Sequence, residues 1–228
     1  MVQFDRAELD EMVQRWVDEN KRCESLGDWK PLAEMYTEDA TYGWNYGPKD
    51  DFMAVGRDEI RDLALGQEMD GLEGWRYPYQ QFVIDDRSGD VIGFWKQVSE
   101  RTRDDGTHYQ VTGIGGSWFR YGGNFQWSWQ RDFFDFGNVS SLFLEMITNN
   151  AMSDGMNARI QRATSGRLPG VVPGRQGPGS AVVSTVKVPV SFADLSREDL
   201  AILVPELLLC GHLIDRSGMP HLIGGVRS

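Results

Sequence analysis

Apolar residues at Leu9, Met12, Val13, Trp16, Val17, Cys23 and Leu26 follow the i, i+3, i+4, i+7 spacing of a helix with one buried stripe. The pattern predicts a first amphipathic helix over residues 5–26, ended by Gly27. Asp28 then stands where an N-cap belongs, Pro31 falls in the first turn, and Leu32, Ala33, Met35 and Tyr36 supply the apolar face of a second, short helix. Ala40 to Trp44 reads as a short strand and Gly47-Pro48 as a turn. Arg57 to Leu65, with Ile60, Leu63 and Ala64, reads as a third helix.

Four strand-like runs follow, at roughly 76–85, 90–102, 108–121 and 124–136, separated by Asp-Arg-Ser-Gly, Asp-Asp-Gly and Tyr-Gly-Gly-Asn. Helices first and an antiparallel meander afterwards make an α+β layout, a cone-shaped curved antiparallel sheet wrapped around three N-terminal helices with a pocket between the layers. The last run splits by parity into Gln126, Ser128, Gln130 and Asp132 on one face and Phe125, Trp127, Trp129 and Phe133 on the other. If the polar row looks into the cone, the aromatic row forms an outer patch too large to leave in water, and a homodimer through that face would cover it. The opposite parity would make the aromatics core and leave the polar row solvated.

Val139 to Thr164 continues as a helix or broken helix, and residues 165–180 form a linker rich in Gly and Pro. Beyond it come a β-branched run at 182–190 and a helix capped by Ser196, with Leu200, Ile202, Leu203 and Leu207 to Leu209, kinked at Pro205. The chain therefore divides into a cone domain over 1–150, a helix and linker over 151–180, and a tail over 181–228. Fewer than 50 residues do not easily build their own core, so the tail is expected to dock on its own domain, on a twin subunit or on a protein partner.

Composition narrows the function. Eight Trp and eleven Phe make much of the buried area aromatic, which suits a flat or apolar organic ligand. A net charge of -11 with no basic stripe argues against nucleic acid. The start has no signal peptide and no window reaches about 18 apolar residues, so neither secretion nor membrane spanning is expected. Cys23 and Cys210 are isolated, which fits a reduced cytoplasm. His108, His212 and His221 have no metal-ligand spacing, so no metal and no cofactor is expected.

The run Gly27-Asp28-Trp29, with Tyr36-Thr-Glu-Asp39-Ala-Thr-Tyr42 and Gly56-Arg-Asp-Glu-Ile60, resembles the SnoaL-like and ketosteroid-isomerase-like superfamily over roughly residues 5–150. That resemblance implies the nuclear-transport-factor-2-like cone and a range of activities from isomerases to plain binding proteins. The ketosteroid-isomerase residues are missing. Trp16 and Trp44 stand near the places of the helix Tyr and the base, and Gly116 or Ser117 near that of the buried acid. The limonene-epoxide-hydrolase branch is closer. Gln130-Arg131-Asp132-Phe133-Phe134-Asp135 and Ser99-Glu100-Arg101-Thr102 resemble its Trp-Arg-Asp-Tyr-Phe-Asp and Thr-Glu-Arg-Val runs.

What this resemblance implies is a water-activating site in which Asp132 is the base, Tyr42 and Asn45 orient the water, and Arg101 keeps Asp132 ionised. Trp16, Trp44, Trp95 and His108 are expected to line the substrate pocket. Arg103 stands where the branch has its general acid, and a guanidinium cannot serve as one. His108 or Tyr109 would have to replace it. Each residue also has a purely structural reading: Asp132 and Asp135 as a strand-end pair with Arg131, Tyr42 as a core phenol, Asn45 as a turn residue, and Arg101 as a cross-strand ion pair. The expected function is a cofactor-independent enzyme acting on an apolar epoxide-, polyketide- or terpenoid-like substrate. The alternative is a non-catalytic ligand-binding or scaffold protein whose tail recruits a partner.

Overall fold

The computed structural model describes residues 4–46, 50–164, 169–173, 212–214 and 220–222. Helix α1 (Arg6–Leu26) starts where Asp5 accepts the Ala7 N–H at 2.8 Å, and it stops at Gly27, whose φ of 64° closes the last turn. Its buried positions are Leu9, Met12, Trp16, Asn20 and Cys23; of the expected stripe Val13 and Val17 are half-buried and Leu26, in the last turn, is exposed. The second helix is a 3-10 turn, Lys30–Met35, running directly into strand β1 (Tyr36–Tyr46). Strand β2 (Asp50–Val55) departs from the expected order, which passes from the Gly-Pro turn straight to a helix. Phe52 and Ala54 alternate inward, both without accessible surface, and Phe52 stacks on Trp44 at 4.0 Å. Helix α2 (Arg57–Glu59) runs on as a π-helical stretch, Ile60–Gln67, closed by the Glu68 N–H on the Leu63 carbonyl at 2.9 Å.

The remaining elements are β3 (Trp75–Arg76), β4 (Tyr79–Asp85), β5 (Asp90–Trp95), β6 (Val98–Thr102), β7 (His108–Gln110), β8 (Gly115–Gly123), β9 (Gln126–Phe133), α3 (Phe136–Thr148), α4 (Asp154–Thr164) and β10 (Val171–Pro173). Seven strands form one sheet in the order β10-β2-β1-β9-β8-β5-β4, antiparallel except for the β1–β9 pair. Its inner face carries α1: the Trp16 ring meets Tyr36, Phe119 and Trp127 edge-on at 5.8, 5.1 and 6.3 Å. This is the expected α+β cone, with the helices laid in a curved sheet. The expected runs 90–102 and 108–121 each divide, because β6 and β7 leave the cone to form a second, three-stranded sheet β3-β6-β7.

Residues 136–164 and 169–173 extend the cone's packing. Helices α3 and α4 bury Leu142, Met146 and Met156 against Leu72, Trp75, Tyr109 and Val111, and Met69 and Tyr77 join this cluster to the main core. Helix α4 comes so close that a Cβ on Gly71 would lie 2.4 Å from the Gly155 carbonyl oxygen, so glycine is required there. Arg159 then reaches the buried Glu68 carboxylate at 3.1 Å. Val171–Pro173, expected within a linker, pairs with β2 as an edge strand. The expected helix at Leu200 to Leu209 lies outside the described residues, and of the tail only His212–Ile214 and Pro220–Leu222 are described, paired antiparallel. No helix among the described residues is long and apolar enough to cross a membrane.

The parity of β9 is interrupted. Arg120 pairs with Trp129 and Tyr121 with Trp127, which leaves Ser128 as the extra residue of a bulge. Trp127 and Gln130, three apart, are both buried, and Asp132 follows Gln130 inward. Trp127 is thus core, correcting the expectation of an unbroken aromatic row outside. The outer face keeps Trp129, against Trp118 at 5.4 Å, and Phe133, which is 42% exposed.

Candidate functional site

The inner end of the cone holds one carboxyl group, Asp132, with three neutral partners. Tyr42 on β1 donates its phenol proton to Oδ2 at 2.6 Å, and Gln130 donates Nε2–H to Oδ1 at 2.7 Å. Ser117, directly across the β8–β9 ladder, hydrogen-bonds the same carboxyl. The Gln130 amide is itself oriented, since its Oε1 accepts the buried Tyr36 phenol. Ser117 Oγ accepts the Trp95 indole N–H at 2.9 Å, which leaves its own proton for a neighbour. Tyr79 lies next to this group and accepts the Trp16 N–H at 2.9 Å.

Among the described residues no cation forms an ion pair with Asp132. Arg131, one residue earlier, points to the opposite face of the strand and binds Asp51 at 2.6 Å. Burial therefore prevails over the hydrogen bonds from Ser117, Tyr42 and Gln130, and the Asp132 pKa lies above the usual carboxylate value. The phenols of Tyr36 and Tyr42 are pushed well up, first by burial and then by the Asp132 charge, so both are neutral donors at ordinary pH. Tyr77 and Tyr79 are raised for the same first reason. Tyr42, Tyr77, Tyr79 and Asp132 are half-buried.

No protein-family model matches the chain. No curated protein matches it. Solved structures are similar to it at low identity. One is a proposed SnoaL-like polyketide cyclase from Jannaschia sp. CCS1, at 13% identity over 60% of this chain and 91% of that one, TM-score 0.45. Another is a nuclear-transport-factor-2-like protein from Anabaena variabilis, at 14% identity over 59% and 95%, TM-score 0.43. A third is TerC, crystallised with polyporic acid, at 13% identity over 60% and 98%, TM-score 0.44. No chemistry passes from any of them to this chain at such identities.

Of the residues singled out in the sequence, Tyr42 and Asp132 meet, and Trp16, Trp44 and Trp95 surround them. Trp16 donates to the Tyr79 hydroxyl, the Trp44 and Tyr42 ring centres lie 5.2 Å apart, edge to face, and Trp95 donates to Ser117. Asn45 does not join them. It is an odd number of residues from Tyr42 on an extended strand, so it faces outward, where it is exposed opposite Asp51. Arg101 is exposed on β6, and that strand belongs to the second sheet. His108 is exposed on β7, its Nδ1 2.9 Å from the Ser99 carbonyl oxygen. Arg103 is engaged by Glu145 on α3 at 2.5 and 3.0 Å. Reading the residues alone misses Tyr36, Tyr77 and Tyr79 as members of the cluster. Their signal is faint, since a buried phenol in a core and one in a pocket look alike in sequence. Among the described residues no group of three His, Cys, Asp or Glu side chains is placed to hold a metal ion.

Proposed function

We propose that the chain is a small-molecule enzyme in which Asp132 moves a proton on a largely apolar, oxygen-bearing substrate. The observation that carries this is a half-buried carboxyl group among aromatic side chains, held by neutral donors and with no counter-ion among the described residues. Such a group takes up and returns protons closer to neutrality than an exposed Asp does. In the proposed step the Asp132 carboxylate accepts a proton from a carbon next to a substrate carbonyl, and the resulting carboxylic acid returns it at another carbon. Tyr77 accepts a hydrogen bond from Gln97, which leaves its own proton for the substrate oxygen on which charge develops. Tyr42 and Gln130 hold the carboxyl in place. Isomerisation or ring closure of a polyketide- or terpenoid-like molecule needs only this one group. Epoxide hydration needs a second acid and a held water, and with Asn45 and Arg101 outside the cluster it is the less well supported chemistry.

The test is hydrogen–deuterium exchange at the α-carbons of a panel of apolar cyclic ketones in deuterated water, followed by NMR, for the wild type and Asp132→Asn. The wild type should catalyse exchange, and the variant should lose about 10²- to 10⁴-fold of it. Equal rates in the two proteins would refute the assignment. A second reading, a ligand-binding protein without turnover, is favoured by the lack of a second acid. It predicts ligand binding with no exchange in either protein. We further propose a homodimer through the outer sheet face, where Val83, 51% exposed, and Phe133 flank Ile92, Phe94, Trp118 and Trp129.

A further inference from the structure

The side-chain amide of Gln130 has two chemically different ends, and the end that faces Asp132 decides whether the carboxyl group meets a donor or an acceptor. Its Nε2 donates to Asp132 Oδ1 at 2.7 Å and lies 3.4 Å from Ser117 Oγ, while its Oε1 accepts the phenol proton of Tyr36. We infer that Tyr36 is a positioning residue: acting through Gln130, it keeps an N–H on the Asp132 carboxylate and so keeps that group ready to accept a proton. The Tyr36 proton is spent on Gln130, so its effect on Asp132 passes through the amide.

The phenol is fixed from its backbone outward. Tyr36 opens β1 where its N–H closes the 3-10 turn on the Ala33 carbonyl, and its own carbonyl accepts the Arg57 Nε–H at 2.8 Å. The residue has no accessible surface; Trp16 packs edge-on against its ring at 5.8 Å and Tyr42 lies nearly parallel to it at 6.0 Å. In that buried setting a turned amide would set Oε1 against the Asp132 carboxylate and leave the Tyr36 proton without an acceptor, two costs that water does not relieve. The observed orientation satisfies all three groups. Without the Tyr36 hydroxyl the balance changes. Gln130 is 3% exposed, so its Oε1 would be left a buried acceptor with no donor for as long as Nε2 serves the carboxylate. Turning the amide toward a protonated Asp132 gives Oε1 a proton to accept, so the acid form gains and the carboxylate loses.

The other groups around Asp132 are unaltered by this pair. Ser117 on β8 and Trp16 on α1 do not titrate, and Tyr42, Tyr77 and Tyr79 are neutral phenols. The charged groups that act on the cluster are engaged elsewhere: Arg131 by Asp51, Glu24 by the Tyr77 N–H and Arg159 by Glu68. The inference rests on the proposed function only for the use to which the carboxylate is put.

The test follows the Asp132 carboxyl by carbon-13 NMR in the full chain, for the wild type, Tyr36→Phe, Gln130→Met and the double variant, with Asp132→Asn to assign the signal. Tyr36→Phe should raise the Asp132 pKa by about one unit, the difference between a donor on an ionised and on a neutral acceptor. Gln130→Met should raise it by a similar amount, and adding Tyr36→Phe to Gln130→Met should add nothing further. A Tyr36→Phe shift that is the same in both backgrounds would make Tyr36 a packing residue and overturn the inference, as would a pKa that stays or falls in Tyr36→Phe alone. Gln130→Leu supplies the second background if Met at 130 disturbs folding. Deuterium exchange separates this role from the proposed chemistry: with an active wild type, the basic limb of the pH–rate profile should move up by the same unit in Tyr36→Phe. A pKa that responds as stated, with no exchange by any of the proteins, keeps the positioning role and removes the chemistry. Exchange by the wild type with a pKa indifferent to Tyr36 does the reverse.

Discussion

Replacing Tyr42 by Phe removes one hydroxyl and little packing, because the ring keeps its contacts with Tyr36 at 6.0 Å and with Trp44 at 5.2 Å. The lost group is the donor 2.6 Å from Asp132 Oδ2. A hydrogen bond to an ionised acceptor contributes about 1.5–3 kcal/mol and one to a neutral acceptor about 0.5–1.5 kcal/mol. The phenol therefore favours the carboxylate over the acid by roughly 1–1.5 kcal/mol, which at 1.36 kcal/mol per unit is about one pKa unit. Burial already holds the Asp132 pKa above its ordinary value, and Tyr42→Phe should raise it by about one unit more.

The stability consequence has a definite sign. A carboxyl whose folded pKa is raised contributes stability that is fully present below its unfolded pKa and is lost as pH rises through the folded pKa. Tyr42→Phe deepens that loss, so the variant should be more destabilised at pH 8 than at pH 4, by roughly 1 kcal/mol. Urea unfolding of both proteins at the two pH values gives the difference, and carbon-13 NMR of the Asp132 carboxyl gives the pKa directly. Equal destabilisation at both pH values, or a pKa that stays or falls, would show that the carboxylate does not depend on this phenol.

The same reasoning makes Asp132→Asn as stable as the wild type or more so at pH 8, while it removes exchange activity; a large loss of stability there would mean that the ionised carboxylate is structural. Arg159→Leu leaves Glu68, only 2% exposed, buried without its cation and should cost about 3 kcal/mol, the lower end for a broken buried pair because the Arg159 side chain keeps 24% exposure. Much of that loss should return in the Glu68→Leu, Arg159→Leu double variant, as urea unfolding would show. Phe133→Lys should turn a dimer into a monomer in sedimentation velocity without changing the circular dichroism, and a wild type that is monomeric at about 50 µM would remove the proposed interface.

The cone was legible because its signals are local: the α1 stripe, the hairpin turns and the helix-then-sheet order each come from a few neighbouring residues. The site was half legible. Tyr42 and Asp132 do meet, whereas Asn45, included through the resemblance to a family motif, lies on the other face of β1, as its odd spacing from Tyr42 requires. Arg101 lies away from Asp132 for a longer-range reason. The run 90–102 looks like one strand, and nothing in Lys96-Gln97 announces that the chain changes sheets there.

The polar end of the cone depends on a feature that sequence reading handles poorly. Strict alternation puts Trp127 and Gln130 on opposite faces, so either the large aromatic or the amide and carboxyl would be inside, but not both. The bulge at Ser128 shifts the phase by one residue between them. Trp127 then packs on Phe119 at 4.7 Å, and Gln130 and Asp132, further along the same strand, turn polar atoms inward as well. A well-packed aromatic base and an uncompensated carboxyl thus come from one strand. This juxtaposition explains why Asp132 is both firmly held and short of charge partners: its strand passes from packed aromatic rings to hydrogen-bonded polar atoms within a few residues.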